Sequence, residues 1–202
     1  MVAKIYVEGA AQNSDSDRTH CRKAFKEFFS AAGLEGKLPQ TVPCGGRQRA
    51  YDAFVNAVKN PQPGSLPLLL VDSETAVQEG RTAWEHLRTR PGDNWDKPAG
   101  AKDDQAFLMV QVMESWFMAD REALKSFFGE HFRERAIPKW PQVEDVPKQS
   151  VFDALEQATV ACGPKRYAKG KLSFSLLGEI SPDKVEAASP NAKALLERLR
   201  NL

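Results

Sequence analysis

Three short apolar segments separated by two helical patterns fill the first 74 residues, and this order constrains the fold more than any other feature of the chain. The apolar segments are residues 3–9, 39–46 and 66–74. Between them, residues 14–33 and 47–60 repeat apolar side chains at the spacing of one helical face. Parallel strands need a long crossover connection, which is usually a helix. The alternation therefore predicts an α/β fold in which a mainly parallel sheet is flanked by helices.

The rest of the chain changes character twice. Residues 76–104 are rich in glycine, proline and charge, which predicts a long loop with one helical turn near residues 84–88. Residues 105–114 predict a fourth strand. Further helices are predicted, with a proline-rich link at 138–147, over residues 114–129, 150–163, 171–180 and 191–202. We expect an α/β domain over residues 1–130 and a helical extension over 131–202 that packs on it as one compact unit.

Composition and charge exclude several classes of protein. The net charge is +1, so a preference for nucleic acid must come from local clusters of charge. Three cysteines lie far apart without a C-x-x-C pair, which argues against disulfides and a zinc site and favours the cytoplasm. No run of about 18 apolar residues is present, and the N-terminal segment lacks a signal-peptide pattern. We therefore expect a cytoplasmic protein without a membrane span.

Carboxylates follow two of the predicted strands. Glu8 comes at the end of the first strand, and Asp72 and Glu74 come at the end of the third. Ligands of parallel sheets bind at the carboxyl ends of the strands, so the three side chains are expected to meet at one edge. Carboxylates that converge repel one another, and Mg²⁺ relieves this because it prefers oxygen ligands. The alternative is that these side chains cap the following turns or helices.

The segments "IYVEG" and "LLLVDSE" together resemble the Toprim domain of topoisomerases, bacterial primases and OLD-type nucleases. With "CGGR", "WEHL", "DDQAFLMVQVMESWFMAD" and "YAKGKLSF", the chain resembles domain-of-unknown-function family 4276, a family of small bacterial Toprim-like proteins. The resemblance implies a Toprim-like (Rossmann-like) sheet of about four strands. It also implies a nuclease that uses Mg²⁺ or Mn²⁺, held by Glu8, Asp72 and Glu74, to hydrolyse DNA or RNA. Relatives with a Toprim domain often act in phage defence beside an ATPase, so the resemblance makes a partner ATPase an expectation.

Two further residues gain a role from the same resemblance. Glu114 stands where related nucleases place a glutamate near the metals, although a glutamate at the start of a helix is equally compatible with the helix dipole. Lys169 would stabilise the charge that develops on phosphate. Two positions depart from the pattern. Glu74 replaces an aspartate, and Gln12 stands where OLD-type nucleases tend to carry a second acid.

Two groups of cationic residues are candidate contacts to nucleic acid. Lys165, Arg166 and Lys171 surround Tyr167, a combination that can follow a phosphate backbone and stack a base. Arg47 follows two glycines at a strand exit, a place that favours anions. The alternatives are a solvated turn between helices and a tight turn before a helix.

Two other functions remain open at this point. The segment "VDSET" is similar to the Asp-x-Asp-x-Thr motif of haloacid-dehalogenase-type phosphatases, with Asp72 as the nucleophile. A Toprim-like subunit that binds nucleic acid or a partner ATPase without cutting is the second alternative. His86 is a candidate neighbour of the site, whereas Asp120 is expected in a turn that faces away from it. The oligomeric state, monomer or homodimer, also stays open.

Overall fold

A four-stranded parallel sheet forms the centre of the molecule. The structure is a computed structural model that describes residues 1–10 and 14–202. At Lys171 it describes the backbone but not the side chain. Gln12 lies outside the described residues. The strands are β1 (Val2–Val7), β2 (Gln40–Pro43), β3 (Ser65–Asp72) and β4 (Ala106–Met109), in the spatial order β2-β1-β3-β4. All three strand pairs are parallel. The predicted α/β fold class, with helices around the sheet and a helical C-terminal portion, is confirmed.

Eight α-helices surround the sheet in the described part of the chain. Their bounds are α1 (Asp15–Ala31), α2 (Arg47–Lys59), α3 (Ala83–Thr89), α4 (Arg121–Phe128), α5 (Lys148–Thr159), α6 (Lys171–Leu177), α7 (Pro182–Ala188) and α8 (Pro190–Arg200). Side chains cap several of these helices, because the first N–H groups of a helix lack partners within it. Ser14 accepts a hydrogen bond from the Asp17 N–H at the start of α1, for example. None of the described helices combines the length and the apolar character needed to cross a bilayer.

The apolar run of β3 is buried on both faces of the sheet. Leu68 and Leu70 pack into the core on the side of α1 and the C-terminal helices, whereas Leu69 and Val71 pack on the side of α2 and α3. A parallel strand covered on both faces needs apolar residues at successive positions, which explains why β3 does not alternate. Full burial of each such side chain contributes about 1.5–3 kcal/mol. The strand is thus held firmly at the point where its carboxyl end carries Asp72.

The region after β4 differs from the prediction. The strand ends at Met109, and a 3-10 helix over Met113–Ala119 replaces the first part of the helix predicted for 114–129. Six successive residues of this 3-10 helix are buried, so an amphipathic pattern could not reveal its geometry. Asp120 then ends it and caps α4, because a short carboxylate can accept the free N–H of Ala123. Helix α7 was not predicted.

Asp120 also ties α4 to the C-terminal helices. It accepts hydrogen bonds from the Ser181 N–H at 3.0 Å and from Lys184 Nζ at 2.7 Å. Burial alone would raise the pKa of Asp120, but these donors and the Ala123 N–H outweigh burial and hold the pKa below its usual value. The charged form of Asp120 is therefore the form that stabilises the fold.

We expect Asp120→Asn to lower the free energy of unfolding at pH 7 by about 1–2 kcal/mol, because the amide loses the charged hydrogen bond from Lys184. A group whose pKa is lowered by folding stabilises above its unfolded pKa, so the difference from wild type should shrink as the pH falls below about 4. Urea unfolding at pH 7 and at acidic pH measures it. Glu122→Gln is the control, since Glu122 also pairs with Lys184 but is exposed. An equal loss in both variants at every pH would contradict this account.

Candidate functional site

Three carboxylates meet at the carboxyl edge of the sheet. β1 and β3 are adjacent and pair Val7 with Leu70, so Glu8 and Asp72 leave neighbouring strands side by side. Glu74 follows two residues later. Each of the three side chains offers an oxygen, and these oxygens lie within 4.8 Å of one another. The positions predicted from the strand exits are therefore brought together.

A pocket of about 420 Å³ opens beside this cluster. Its polar wall contains Glu8, Asp72, Glu114 and Lys169, and Asp17 of α1 is also part of its lining. The remaining wall is mostly apolar or glycine and consists of Gly9, Ala10, Gly45, Met109, Met113, Gly170, Ser173 and Phe174.

Glycine is required at position 9, directly after the first acid of the cluster. Gly9 has a φ of +134°, a conformation that L side chains rarely adopt. A Cβ there would also lie 3.2 Å from Cζ of Phe174. One side of the pocket is thus formed where the residues after β1 pack closely against helix α6.

Burial and mutual repulsion shape the charges of the three acids. Burial raises the pKa of Asp72 well above its usual value, and the negative charges of Glu8 and Glu114 add to the rise. Burial also raises the pKa of Glu8, although Arg47 opposes it. For Glu74, burial acts in the same direction, but the hydrogen bond and charge of Lys148 outweigh it and lower the pKa. The cluster is therefore short of positive charge at Asp72, which is the acid at its centre.

Arg47 holds the carboxylate of Glu8 from the first turn of α2. Its Nη1 lies 3.2 Å from Glu8 Oε2 and also donates to the carbonyl oxygen of Asp72. Its Nε and Nη2 bind the two oxygens of Asp93 at 2.8 and 2.5 Å, and its guanidinium lies 5.0 Å from the Trp95 ring centre. Asp93 and Trp95 both belong to the long loop predicted for 76–104. This loop thus fixes the Arg47 guanidinium beside the acids. Arg47, a predicted contact to nucleic acid, is instead paired with carboxylates of the chain itself.

Glu114 lines the pocket with one oxygen unpaired. The residue is only 1% exposed, and its Oε1 accepts hydrogen bonds from the Tyr167 hydroxyl at 2.8 Å and from Ser173 Oγ at 3.1 Å. Its Oε2 is buried and has no hydrogen-bond partner among the described residues. Burial and the charge of Glu114 raise the pKa of Tyr167, so its hydroxyl stays protonated and donates. A buried carboxylate oxygen without a donor is costly, and a cation would satisfy it.

Of the described basic side chains near Tyr167, some lie at the pocket and others do not. Lys165 Nζ donates to the carbonyl oxygen of Phe127 at 2.8 Å, and Arg166 pairs with Glu156. Lys169 lines the pocket, and its Nζ lies 5.4 Å from the ring centre of Phe152. The side chain of Lys171 lies outside what the structure describes. The structure thus brings Lys169 to the site and places Lys165 and Arg166 in contacts with α4 and α5.

The sequence analysis named one neighbour of the site, His86, and missed several others. His86, on α3, is buried and lies with Nε2 2.9 Å from the carbonyl oxygen of Ser73, between the two acids of the β3 exit. Lys148 pairs with Glu74 from the start of α5. Asp93 and Lys148 lie in no local motif, and Ser173 lies within "YAKGKLSF" but was assigned no role. The only signal for Asp93 was the length of the loop that contains it, and none marked Lys148.

Comparison with known proteins assigns the chain to a family without naming an activity. A family model described as a domain of unknown function, DUF4276, matches residues 8–200. No curated protein and no solved structure matches the chain. The match begins at Glu8, directly after β1, and covers every residue that lines the pocket. The chain therefore belongs to the DUF4276 family.

Proposed function

We propose that this protein is a nuclease that depends on Mg²⁺ or Mn²⁺ and hydrolyses phosphodiester bonds of nucleic acid. The observation that carries the proposal is the convergence of Glu8, Asp72 and Glu74 beside a pocket whose wall includes Glu114, a buried acid with one unpaired oxygen. Acidic clusters alone are common on protein surfaces. Here Asp72 and Glu114 are both buried. Water therefore cannot solvate their negative charges, and the ionised forms need a cation as a partner.

The donor set fits a hard divalent cation. All candidate ligands are carboxylate oxygens, and no cysteine or histidine belongs to the cluster within the described part of the chain. Oxygen ligands in an open site suit Mg²⁺ and Mn²⁺, whereas zinc sites are built mainly from sulfur and nitrogen. Glu8, Asp72 and Glu74 would hold the ion, with Glu114 at the adjoining wall.

The residues around the cluster have separable roles in such a reaction. A bound divalent cation would polarise a phosphoryl oxygen and favour attack by water. Arg47 orients Glu8, and the Met113 N–H donates to Asp72 Oδ1 at 2.8 Å, so two of the ligands are fixed before substrate arrives. Lys169 is exposed at the pocket and can offset the negative charge of a phosphate.

The polymer substrate is suggested by the resemblance to Toprim and OLD-type nucleases rather than by a basic surface. Lys165 and Arg166 contact other parts of the chain, so Lys169 remains as the cation at the pocket with the clearest access to phosphate. The same resemblance supports action in phage defence with a partner ATPase. DNA and RNA are both compatible with these contacts.

A non-catalytic Toprim-like subunit, which binds nucleic acid or a partner ATPase, is the second candidate. The observation that favours it is that Arg47 and Lys148 already pair with Glu8 and Glu74. A phosphatase with Asp72 as nucleophile is less favoured. The Asp72 side chain is buried, its Oδ1 is occupied by the Met113 N–H, and three other acids surround it.

We expect the purified chain to cut single- or double-stranded DNA or RNA with Mg²⁺ or Mn²⁺ and to be silent in excess chelator. Gel analysis of end-labelled substrates measures this, with Glu8→Gln as the inactive variant and the exposed Glu27→Gln as the control. Cleavage at full rate in chelator would contradict the metal mechanism. Metal binding without cleavage, alone or with a partner ATPase, would favour the non-catalytic subunit.

A further inference from the structure

Among the described ion pairs, two cations bind the acid cluster, and they are held in very different ways. Arg47 is largely buried and bonded through three nitrogens to Glu8, Asp93 and the main chain. The side chain of Lys148 is 45% exposed, and the only partner described for its ammonium is Glu74. A guanidinium in a bidentate pair is fixed in orientation, whereas an ammonium on a four-carbon stem reorients freely. Of the two, Lys148 is the one that can leave.

The backbones on both sides of the Lys148–Glu74 pair are anchored to one residue. The Glu74 N–H donates to the carbonyl oxygen of Gln111 at 2.7 Å, and the Lys148 N–H donates to Gln111 Oε1 at 3.2 Å. Glu74 has a φ of +67°, which a residue with a side chain rarely adopts, so its carboxylate is aimed by a constrained turn. The pair can therefore open by rotation of the Lys148 side chain alone, with Glu74 left in place beside Asp72.

We infer that Lys148 is an internal counter-ion, which neutralises Glu74 in the metal-free protein and is displaced when a divalent cation binds. This inference rests on the proposed metal site and concerns how that site is filled. A divalent cation brings twice the charge of an ammonium to three carboxylates whose oxygens lie within 4.8 Å. It also reaches Asp72, which has no cationic partner of its own among the described hydrogen bonds and ion pairs. The unpaired oxygen of Glu114 is an independent sign that the pocket is built to receive a cation.

If Lys148 and the metal compete for Glu74, removing Lys148 should change the metal affinity in a defined direction. An ordinary structural ion pair would position Glu74, so its loss would weaken metal binding or leave it unchanged. A displaced counter-ion must be broken away before the metal can use Glu74, so its loss should tighten metal binding. The expected gain is up to about fivefold, the scale of one partly exposed ion pair.

The test is calorimetric titration of the metal-free chain with Mn²⁺. Lys148→Met should bind Mn²⁺ about three- to fivefold more tightly than wild type, and Lys148→Arg should bind no more tightly, since a guanidinium holds the carboxylate at least as firmly. Lys193→Met is the matched control, because it removes one lysine from an exposed pair with Glu197. Equal or weaker binding by Lys148→Met would overturn the inference.

Thermal melting gives a second readout that does not depend on cleavage. In chelator, Lys148→Met should melt below wild type, and at saturating Mn²⁺ the difference should vanish, because the pair is then absent from both proteins. A difference that persists unchanged in Mn²⁺ would contradict displacement. Mn²⁺ binding without nuclease activity would leave the inference standing and count against the proposed function. Mn²⁺ uptake by none of the proteins would overturn both.

Discussion

Asp72→Asn should lower cleavage by about 10³-fold or more while leaving the metal-free protein at least as stable as wild type. Asparagine keeps an oxygen that can accept the hydrogen bond from the Met113 N–H, so the start of the 3-10 helix is preserved. The substitution removes the carboxyl group whose ionised form is disfavoured by burial and by the charges of Glu8 and Glu114. Asp72→Asn should therefore abolish most of the activity without lowering the free energy of unfolding.

Metal-dependent stability separates this outcome from a purely structural role for Asp72. At a Mg²⁺ concentration 100 times its dissociation constant, wild type should gain about 2.7 kcal/mol, and Asp72→Asn should gain little. Asp72→Ala serves as the comparison, since it also strands the Met113 N–H and should cost about 1–3 kcal/mol in chelator. If Asp72→Asn melts well below wild type in chelator and both respond equally to Mg²⁺, Asp72 is a structural cap.

Arg47→Met should destabilise the protein by about 3–5 kcal/mol, the largest loss that we expect from a single charged residue. The side chain of Asp93 is 2% exposed and receives two hydrogen bonds from Arg47 and one from Arg90. Methionine fills a similar volume but leaves Asp93 with one cationic partner and Glu8 with none among the described ion pairs. Uncompensated buried charge, rather than lost packing, accounts for the size of the effect.

Urea unfolding of Arg47→Met and of a matched surface variant measures this loss. Arg166→Met is the control, because Arg166 and Glu156 are both more than half exposed and their pair should contribute no more than about 1 kcal/mol. The double variant Arg47→Met/Asp93→Asn should lose less than the sum of the single changes, since neutral Asp93 no longer needs a partner. Similar losses in the Arg47 and Arg166 variants would show that the buried network contributes little.

The part of the site that could be predicted depends on strand ends. β3 is recognisable because its apolar run stops at Asp72, and parallel strands place their carboxyl ends on one edge, so Glu8, Asp72 and Glu74 could be grouped without coordinates. The fold class followed from the same alternation. Both inferences use contacts that regular geometry fixes once the elements are known.

The partners of those acids could not be predicted, because no local pattern encodes them. Arg47 and Asp93 are 46 residues apart, and Lys148 and Glu74 are 74 residues apart. Their contacts depend on how a loop and a helix pack, which periodicity does not specify. Charge density was an unreliable guide for the opposite reason. Lys165 and Arg166 stand close to Lys169 in sequence, yet they face α4 and α5 rather than the pocket.

The pocket wall joins distant parts of the chain, and this has a kinetic consequence. Phe174 of α6 packs on Gly9 beside β1, and α6 lies against α1, so these contacts close loops of about 150 residues. Contacts that close long loops form late, because chain entropy must be lost before they stabilise anything. During folding, the sheet can assemble and align Glu8 with Asp72 before α6 docks. We therefore expect the register of Glu8 and Asp72, which the sheet alone sets, to form before the pocket, which also needs α6.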